Sequence, residues 1–209
     1  MKLVLFDIGG VIEKENGSYN TLDIRVDTIK HFNDSYSDEE ILDKWTWEVD
    51  GINLNTVDSL QKIEEWFIII KRRFNLGCTL DEFIDEYHKN ALKMPIYKDV
   101  VEYMNSLMDK GINVGLLSNT VFLVKDRLRK NLDYNRIPFK FLSFELGLAK
   151  PDIEIYNYVI KNTGIEPKDI VFFDNKEGNV KSAIEAGINA LCVTGDDISL
   201  IKDFVNKYI

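Results

Sequence analysis

Short apolar runs and longer stretches of helical period alternate along this chain. An apolar run at residues 2–6 has the length of a buried strand and ends at Asp7, shortly before Gly9 and Gly10. From about residue 14 to residue 94 apolar side chains recur every three or four positions, which predicts three or four helices in a small bundle. From residue 95 onward helical stretches alternate with further strand-length runs. This alternation predicts a parallel sheet covered by helices on both faces.

The pattern predicts an α/β fold with two parts. A Rossmann-like, doubly wound parallel-sheet core is expected at residues 1–13 and 95–209, with the helical bundle of residues 14–94 inserted after the first strand. Beyond the first, the predicted strands are residues 112–117, 139–144, 169–173 and 190–193. The predicted helices include residues 57–76, 121–131 and 198–208.

Composition excludes several kinds of partner. The chain has 209 residues and a formal net charge of -9, so a nucleic acid or an anionic membrane would be repelled. Its apolar stretches are too short to span a bilayer, and its two cysteines lie far apart without a nearby metal-ligating companion. We expect a cytoplasmic protein, monomeric or homodimeric, without nucleic-acid or membrane partners.

Polar residues follow the predicted strands at four places. Each is unremarkable alone, because Asp, Asn and Ser are common in turns and helix caps. Parallel sheets, however, bind ligands at the carboxyl ends of their strands, where these residues would meet. The residues are Asp7, Ser118 with Asn119, Lys150, and Asp174 with Asn175. Their convergence favours a nucleophilic role for Asp7 in the hydrolysis of a phosphate ester.

Here the chain resembles the haloacid dehalogenase superfamily over its whole length. Residues 7–11, Asp-Ile-Gly-Gly-Val, stand where the first family motif, Asp-x-Asp-x-Thr/Val, would be. Residues 116–120, 146–151 and 172–179 are similar to the second, third and fourth motifs. The helical insert then takes the place of the family's cap. The Phe-Asp-x-Gly opening is most similar to the sugar-phosphate phosphatases that include the bacterial alpha-glucose-1-phosphate phosphatase.

The resemblance implies a phosphatase of small phosphorylated metabolites, such as sugar phosphates, that forms an aspartyl-phosphate. Asp7, Ser118 and Lys150 would be catalytic. The expected phosphate-binding residues are Asp7, Gly9, Gly10, Ser118, Asn119 and Lys150. The cofactor would be Mg²⁺, with Asp7, Gly9, Asp174 and Asn175 as its ligands.

Two positions depart from the family pattern. Gly9 replaces the usual general acid, which predicts a loss of roughly 10²–10⁴-fold in the step that protonates the leaving group. Asn175 replaces a second Asp, so we expect weaker metal binding supported by the neutral Asn179. Glu13 or Glu15 would be a displaced acid, although solvated hinge charge is the simpler interpretation.

Two other functions remain open. One is a metal-independent 2-haloacid dehalogenase, which also lacks the second Asp, although Asp174 argues against it. The other is a non-catalytic ligand-binding relative. Arg25, Lys44, Trp45 and Trp47 could reach a ligand from the insert, but we expect the aromatic side chains in the bundle core and the cations on the surface.

Overall fold

The computed structural model describes residues 2–57 and 60–209 of the chain, without side chains at residues 124–126. The strands are β1 (Leu3–Phe6), β2 (Glu48–Val49), β3 (Ile52–Asn53), β4 (Asn113–Ser118), β5 (Phe139–Leu142), β6 (Ile170–Asp174) and β7 (Asn189–Cys192). The helices are α1 (Thr21–Phe32), α2 (Asp38–Lys44), α3 (Leu60–Arg73), α4 (Leu80–Ala91), α5 (Lys98–Asp109), α6 (Lys125–Asn131), α7 (Ser143–Leu146), α8 (Ile153–Thr163), α9 (Glu177–Glu185) and α10 (Ile198–Tyr208).

Five parallel strands form the central sheet in the order β5-β4-β1-β6-β7. The apolar run of β1 is fully buried because helices cover both faces of the sheet. Phe6 lies in register with Leu116 of β4 and Phe173 of β6. The carboxyl ends of three neighbouring strands therefore meet around Asp7. The predicted α/β fold class is confirmed.

We call residues 14–94 the helical segment; its described residues pack around an aromatic core to which Val121 and Leu123 also belong. Trp66 and Phe83 are fully buried there, and Trp45 packs against both. The two ends of the helical segment lie next to each other: the Lys14 N–H donates a hydrogen bond to Pro95 O at 2.9 Å. The division into a core at 1–13 and 95–209 and a cap at 14–94 stays a prediction.

A small hairpin interrupts the helical segment. Strands β2 and β3 pair antiparallel around Asp50 and Gly51, whose φ angles are 48° and 80°. Positive φ at both central residues is the conformation of a tight hairpin turn, and Asp-Gly is a typical sequence for it. The sequence analysis predicted only helices for residues 14–94, so it missed this ribbon.

Three elements depart from prediction by more than a one-residue shift of a strand. Strand β5 stops at Leu142, and residues 143–146 form α7, although residues 143 and 144 were predicted as the end of the strand. The predicted helix at 57–76 ends at Arg73, and its beginning includes residues 58 and 59, which lie outside the described residues. The first turn of the predicted helix at 121–131 is a 3-10 helix, Phe122–Val124. No helix of the described chain is long and apolar enough to cross a membrane.

Candidate active site

A buried lysine joins two carboxylates at the carboxyl edge of the sheet. Lys150 Nζ lies 3.0 Å from Asp7 Oδ1 and 2.6 Å from Asp174 Oδ2. It also donates a hydrogen bond to Leu117 O at 2.8 Å. Asp7 follows β1, Asp174 ends β6 and Leu117 lies in β4, so the ammonium group joins three adjacent strands. Only 4% of Lys150 is exposed, and the charges therefore interact with little solvent screening.

Asn119 holds the main chain of Lys150 in place. Its side-chain amide donates to Lys150 O at 2.6 Å and accepts the Lys150 N–H at 2.8 Å. The two bonds fix the loop that carries the lysine, which explains how a residue outside any strand enters the site. Because both amide atoms are engaged, the expected phosphate contact of Asn119 would have to use its backbone.

The Asp7 carboxyl is shielded from solvent. Burial raises its pKa; Lys150 opposes this, the charge of Asp174 adds to it, and hydrogen bonding from Ser118 and Lys150 lowers it. Asp7 Oδ1 also accepts the N–H of Ile8 at 2.7 Å. Ser118, the last residue of β4, is itself 2% exposed beside the carboxyl. Contacts from several strands therefore fix the orientation of Asp7 before any ligand arrives.

Asp174 is held as firmly as Asp7. Its Oδ1 accepts the backbone N–H of Lys176 at 2.8 Å, at the start of α9. Its Oδ2 accepts from Asn179 Nδ2 at 2.9 Å as well as from Lys150. Asp174 is fully buried, and these bonds give both of its carboxylate oxygens a hydrogen-bond partner. Asn179, expected as neutral support, is thus placed against Asp174.

The two glycines after Asp7 leave room for other side chains. Gly10 has φ +77°, and a Cβ there would overlap the side-chain amide of Asn175. A Cβ on Gly9 would overlap the carboxylate of Glu15. Asn175 Nδ2 donates to Glu15 Oε2 at 3.0 Å. The Glu15 carboxylate therefore fills the space into which a side chain at position 9 would project.

The oxygen atoms at this edge fit a magnesium ion. Asn175 Oδ1 is buried and accepts no hydrogen bond from the described residues, which leaves it available as a ligand. Asp7 and Asp174 add two carboxylates, and Mg²⁺ in proteins commonly uses one or two carboxylates together with substrate phosphate and water. In the described chain, no group of three or more His, Cys, Asp or Glu side chains is arranged to hold a metal. The candidate metal ligands are therefore two carboxylates and neutral oxygen atoms, which together bring little negative charge.

Glu13 corrects one expectation. It is 1% exposed and accepts a hydrogen bond from Arg127 Nη2 at 2.7 Å. Burial raises the pKa of Glu13, while the guanidinium of Arg127 opposes that shift. The interpretation of Glu13 as a solvated charge at the hinge is therefore wrong. Helix α6 places Arg127, which is 114 positions further along the chain, against the Glu13 carboxylate.

A cavity of about 520 Å³ lies between the strand ends and the helical segment. Ser118 and Lys150 line it on the sheet side. The helical segment contributes Thr21, Arg25, Trp47, Asn53, Asn55 and Tyr87. A larger groove of about 690 Å³, between α5 and α10, contains none of the strand-end residues.

The sequence analysis placed one of these cavity residues wrongly and missed others. Arg25 lines the cavity, although it was expected on the surface. Trp47 packs against the bundle core, as expected, and also lines the cavity. Trp45 is core, as expected, and Lys44 lies over the ring of Tyr36. Asn53 was missed because the hairpin that carries it was missed, and the Asp-Gly turn was the available signal.

The comparison with protein families decides the identity. The family model described as haloacid dehalogenase-like hydrolase matches residues 1–187. The chain belongs to this family. This hydrolase therefore has both the four family-like motifs and the fold of the family.

Curated relatives of the hydrolase include several phosphatases. A flavin mononucleotide hydrolase of Arabidopsis thaliana is 38% identical over 81 residues, which are 39% of this chain and 31% of the relative. Enolase-phosphatase E1 of Aquifex aeolicus is 23% identical over 161 residues, which are 75% of this chain and 72% of the relative. The match thus spans less than a third of the first relative.

Solved structures share the whole fold. A HAD family enzyme from Bacteroides thetaiotaomicron superposes with a TM-score of 0.75 at 24% identity, covering 97% of this chain and 98% of the other. A HAD-like family hydrolase of Porphyromonas gingivalis superposes with a TM-score of 0.71 at 20% identity, covering 98% of each chain. At these identities the likeness concerns the fold.

Proposed function

We propose that this hydrolase is a magnesium-dependent phosphatase of small phosphorylated metabolites that works through an aspartyl-phosphate on Asp7. The contact of one buried ammonium group with both Asp7 and Asp174 carries the proposal. A carboxylate nucleophile must approach a dianionic phosphate, and a fixed cation beside it offsets the accumulating negative charge.

Each residue of the strand ends has a distinct part. Asp7 attacks phosphorus, because its carboxylate is held at the tip of β1 beside the cavity. The P–O bond of the ester breaks and the alkoxide leaves, taking a proton from solvent; water then hydrolyses the aspartyl-phosphate to free Asp7 and inorganic phosphate. Lys150 orients that carboxylate and offsets the charge of the phosphate. Ser118 donates its hydroxyl to a phosphate oxygen, with backbone N–H groups of Gly9, Gly10 and Asn119 as further donors.

The same edge would hold the metal. Asp7 and Asp174, the carbonyl of Gly9 and Asn175 Oδ1 are the proposed ligands. When bound, Mg²⁺ supplies positive charge that stabilises the phosphate oxygens in the transition state. A mutant of the HAD family enzyme from Bacteroides thetaiotaomicron has been crystallised in complex with magnesium and inorganic phosphate, which supports the assignment by analogy.

The helical segment would act as the cap of the active site. Its side chains face the strand ends across the cavity, so closure would exclude water and select the substrate. Sugar phosphates are among the substrates we propose, on the Phe-Asp-x-Gly resemblance. The cytoplasmic location and the monomeric or homodimeric state stay predictions.

Hydrolysis of p-nitrophenyl phosphate with and without Mg²⁺ tests the proposal, because this leaving group needs little protonation. Phosphate release that requires Mg²⁺ supports the phosphatase. Chloride release from 2-chloropropionate without metal would instead support the dehalogenase. If folded protein is inactive in both assays, the result would favour a non-catalytic ligand-binding relative.

A further inference from the structure

Arg25 of α1 lies on the cavity wall that faces the strand ends. Its guanidinium carbon is 5.5 Å from the ring centroid of Trp47 and 5.9 Å from that of Trp45. Two indole faces therefore support the flat guanidinium, which limits its rotamers. An arginine held in this way presents its N–H groups in a fixed direction.

No carboxylate among the described residues pairs with Arg25. Asp7 and Asp174 contact Lys150, and Glu13 contacts Arg127. Arg25 Nε is buried and donates no hydrogen bond within the described part of the chain.

The environment of Arg25 disfavours its own charge. Burial lowers the pKa of the guanidinium, and Tyr87 opposes that shift. A guanidinium stays protonated even so, because its ordinary pKa is far above neutrality. The Arg25 side chain is half-buried, so its guanidinium is only partly solvated and has no anionic partner among the described residues. An anion in the cavity would offset that loss of solvation.

We propose that Arg25 binds a second anionic group of the substrate, so that the hydrolase acts on small phosphate monoesters that also carry a carboxylate or a second phosphate. The inference rests on the proposed phosphatase function and names its substrate class. One anionic group of such a substrate lies at Lys150 and Ser118, and the other lies at Arg25. The planar fork of N–H donors suits either a carboxylate or a phosphate.

The rest of the wall agrees with a small polar substrate. Asn53 and Asn55 add side-chain amides to the same cavity, and Trp47 adds a flat apolar face. A volume of about 520 Å³ is within the range of metabolite sites. A substrate body with hydroxyl groups between its two anionic ends would meet these side chains.

Matched substrates that differ in one anionic group test the proposal. 3-Phosphoglycerate and glycerol 3-phosphate differ in a carboxylate, whereas fructose 1,6-bisphosphate and fructose 6-phosphate differ in a phosphate. We expect the wild-type enzyme to prefer the doubly anionic member of at least one pair by roughly 10-fold or more in kcat/KM, the range of a hydrogen bond to a charged group. The preferred pair identifies the second group.

Substitution of the arginine should remove that preference. In Arg25→Met the ratio within the pair should fall to about 1, because kcat/KM for the doubly anionic member falls more than kcat/KM for the singly anionic member. Arg25→Lys keeps the charge without the planar fork and should retain part of the ratio. Arg72→Met, at an exposed position of α3, is the matched control and should retain all of it.

Two results would overturn the inference. One is a wild-type enzyme without preference in either pair. The other is an Arg25→Met variant that is folded, by its thermal unfolding, but loses activity equally on all substrates, which would mean a structural role.

Binding separates this inference from the proposed function. Trp47 beside Arg25 gives a fluorescence signal for titration with the same compounds, without turnover. If no phosphate ester is hydrolysed but the doubly anionic compound binds wild type at least about 10-fold more tightly than Arg25→Met, the phosphatase proposal fails and the anion site stands. If hydrolysis proceeds and both proteins bind the compound equally, the anion site fails.

Discussion

The two walls of the cavity differ in how their charges are balanced. At the strand ends Lys150 lies between Asp7 and Asp174, and each carboxylate has further hydrogen bonds. On the wall from the helical segment, Arg25 has no carboxylate partner among the described residues and Nε has no acceptor. The lysine and the two aspartates of the first wall balance one another without a ligand, as preorganised catalysis requires. The second is completed by a ligand, as selection of a substrate requires.

The largest expected effect concerns the strand-end wall. Asp7→Asn should lower kcat for p-nitrophenyl phosphate by roughly 10⁴-fold or more, because the amide has nearly the same shape but cannot attack phosphorus. Steady-state assays with Mg²⁺ measure it, and Asp203→Asn, on the exposed surface of α10, is the control. Retention of more than about one hundredth of wild-type activity would rule out Asp7 as the nucleophile.

Lys150→Met should destabilise the fold by about 3–5 kcal/mol, because it leaves two buried carboxylates without a cation. Urea unfolding measures the change, and the loss should shrink at lower pH as protonation removes the repulsion between the carboxyls. Lys181→Met, at a side chain 78% exposed, should change stability by no more than about 0.5 kcal/mol. If Lys150→Met is as stable as Lys181→Met, the buried ion cluster does not exist in solution.

Arg127→Met should cost about 3 kcal/mol by the same mechanism, since the Glu13 carboxyl would remain buried without its cation. Adding Glu13→Leu should restore most of that stability, because an apolar pair of similar volume needs no compensation. Thermal unfolding of the single and double variants measures the recovery. If the single and double variants were equally unstable, Arg127 would stabilise the fold by packing and not by neutralising the charge of Glu13.

The smallest effect tests the hairpin of the second wall. Gly51→Ala should cost about 1 kcal/mol, because φ of 80° places a Cβ in the left-handed region although the surrounding space is open. Gly77→Ala, also in open space but without a positive φ, is the matched control in urea unfolding. A cost that is the same at both sites would contradict the turn conformation of residues 50 and 51.

The strand-end wall could largely be predicted from the sequence, and the facing wall could not. Apolar runs reveal buried strands, and a parallel sheet brings their carboxyl ends together, so Asp7, Ser118 and Asp174 converge by topology alone. The place of Arg25 depends on how the helical segment docks on the sheet, which periodicity does not encode. The burial of Glu13 depends likewise on an arginine distant in the chain.

Local patterns also failed where two structures fit the same residues. Ser143-Phe144-Glu145-Leu146 continues the apolar run of β5 and was predicted as strand up to Phe144, yet it forms the single turn of α7. Short apolar segments suit a strand or a buried helical turn equally well, and tertiary packing decides between them. Neither this turn nor the β2–β3 ribbon alters the strand ends.

Chemical trapping of the proposed intermediate tests the central claim most directly. Excess enzyme would be mixed with p-nitrophenyl phosphate and Mg²⁺, quenched within one turnover and treated with borohydride, which reduces an acyl phosphate to the alcohol. The account predicts that mass spectrometry finds homoserine in place of Asp7 and unmodified aspartate at position 174. Release of phosphate with Asp7 unmodified at every quench time, together with turnover by Asp7→Asn, would contradict it.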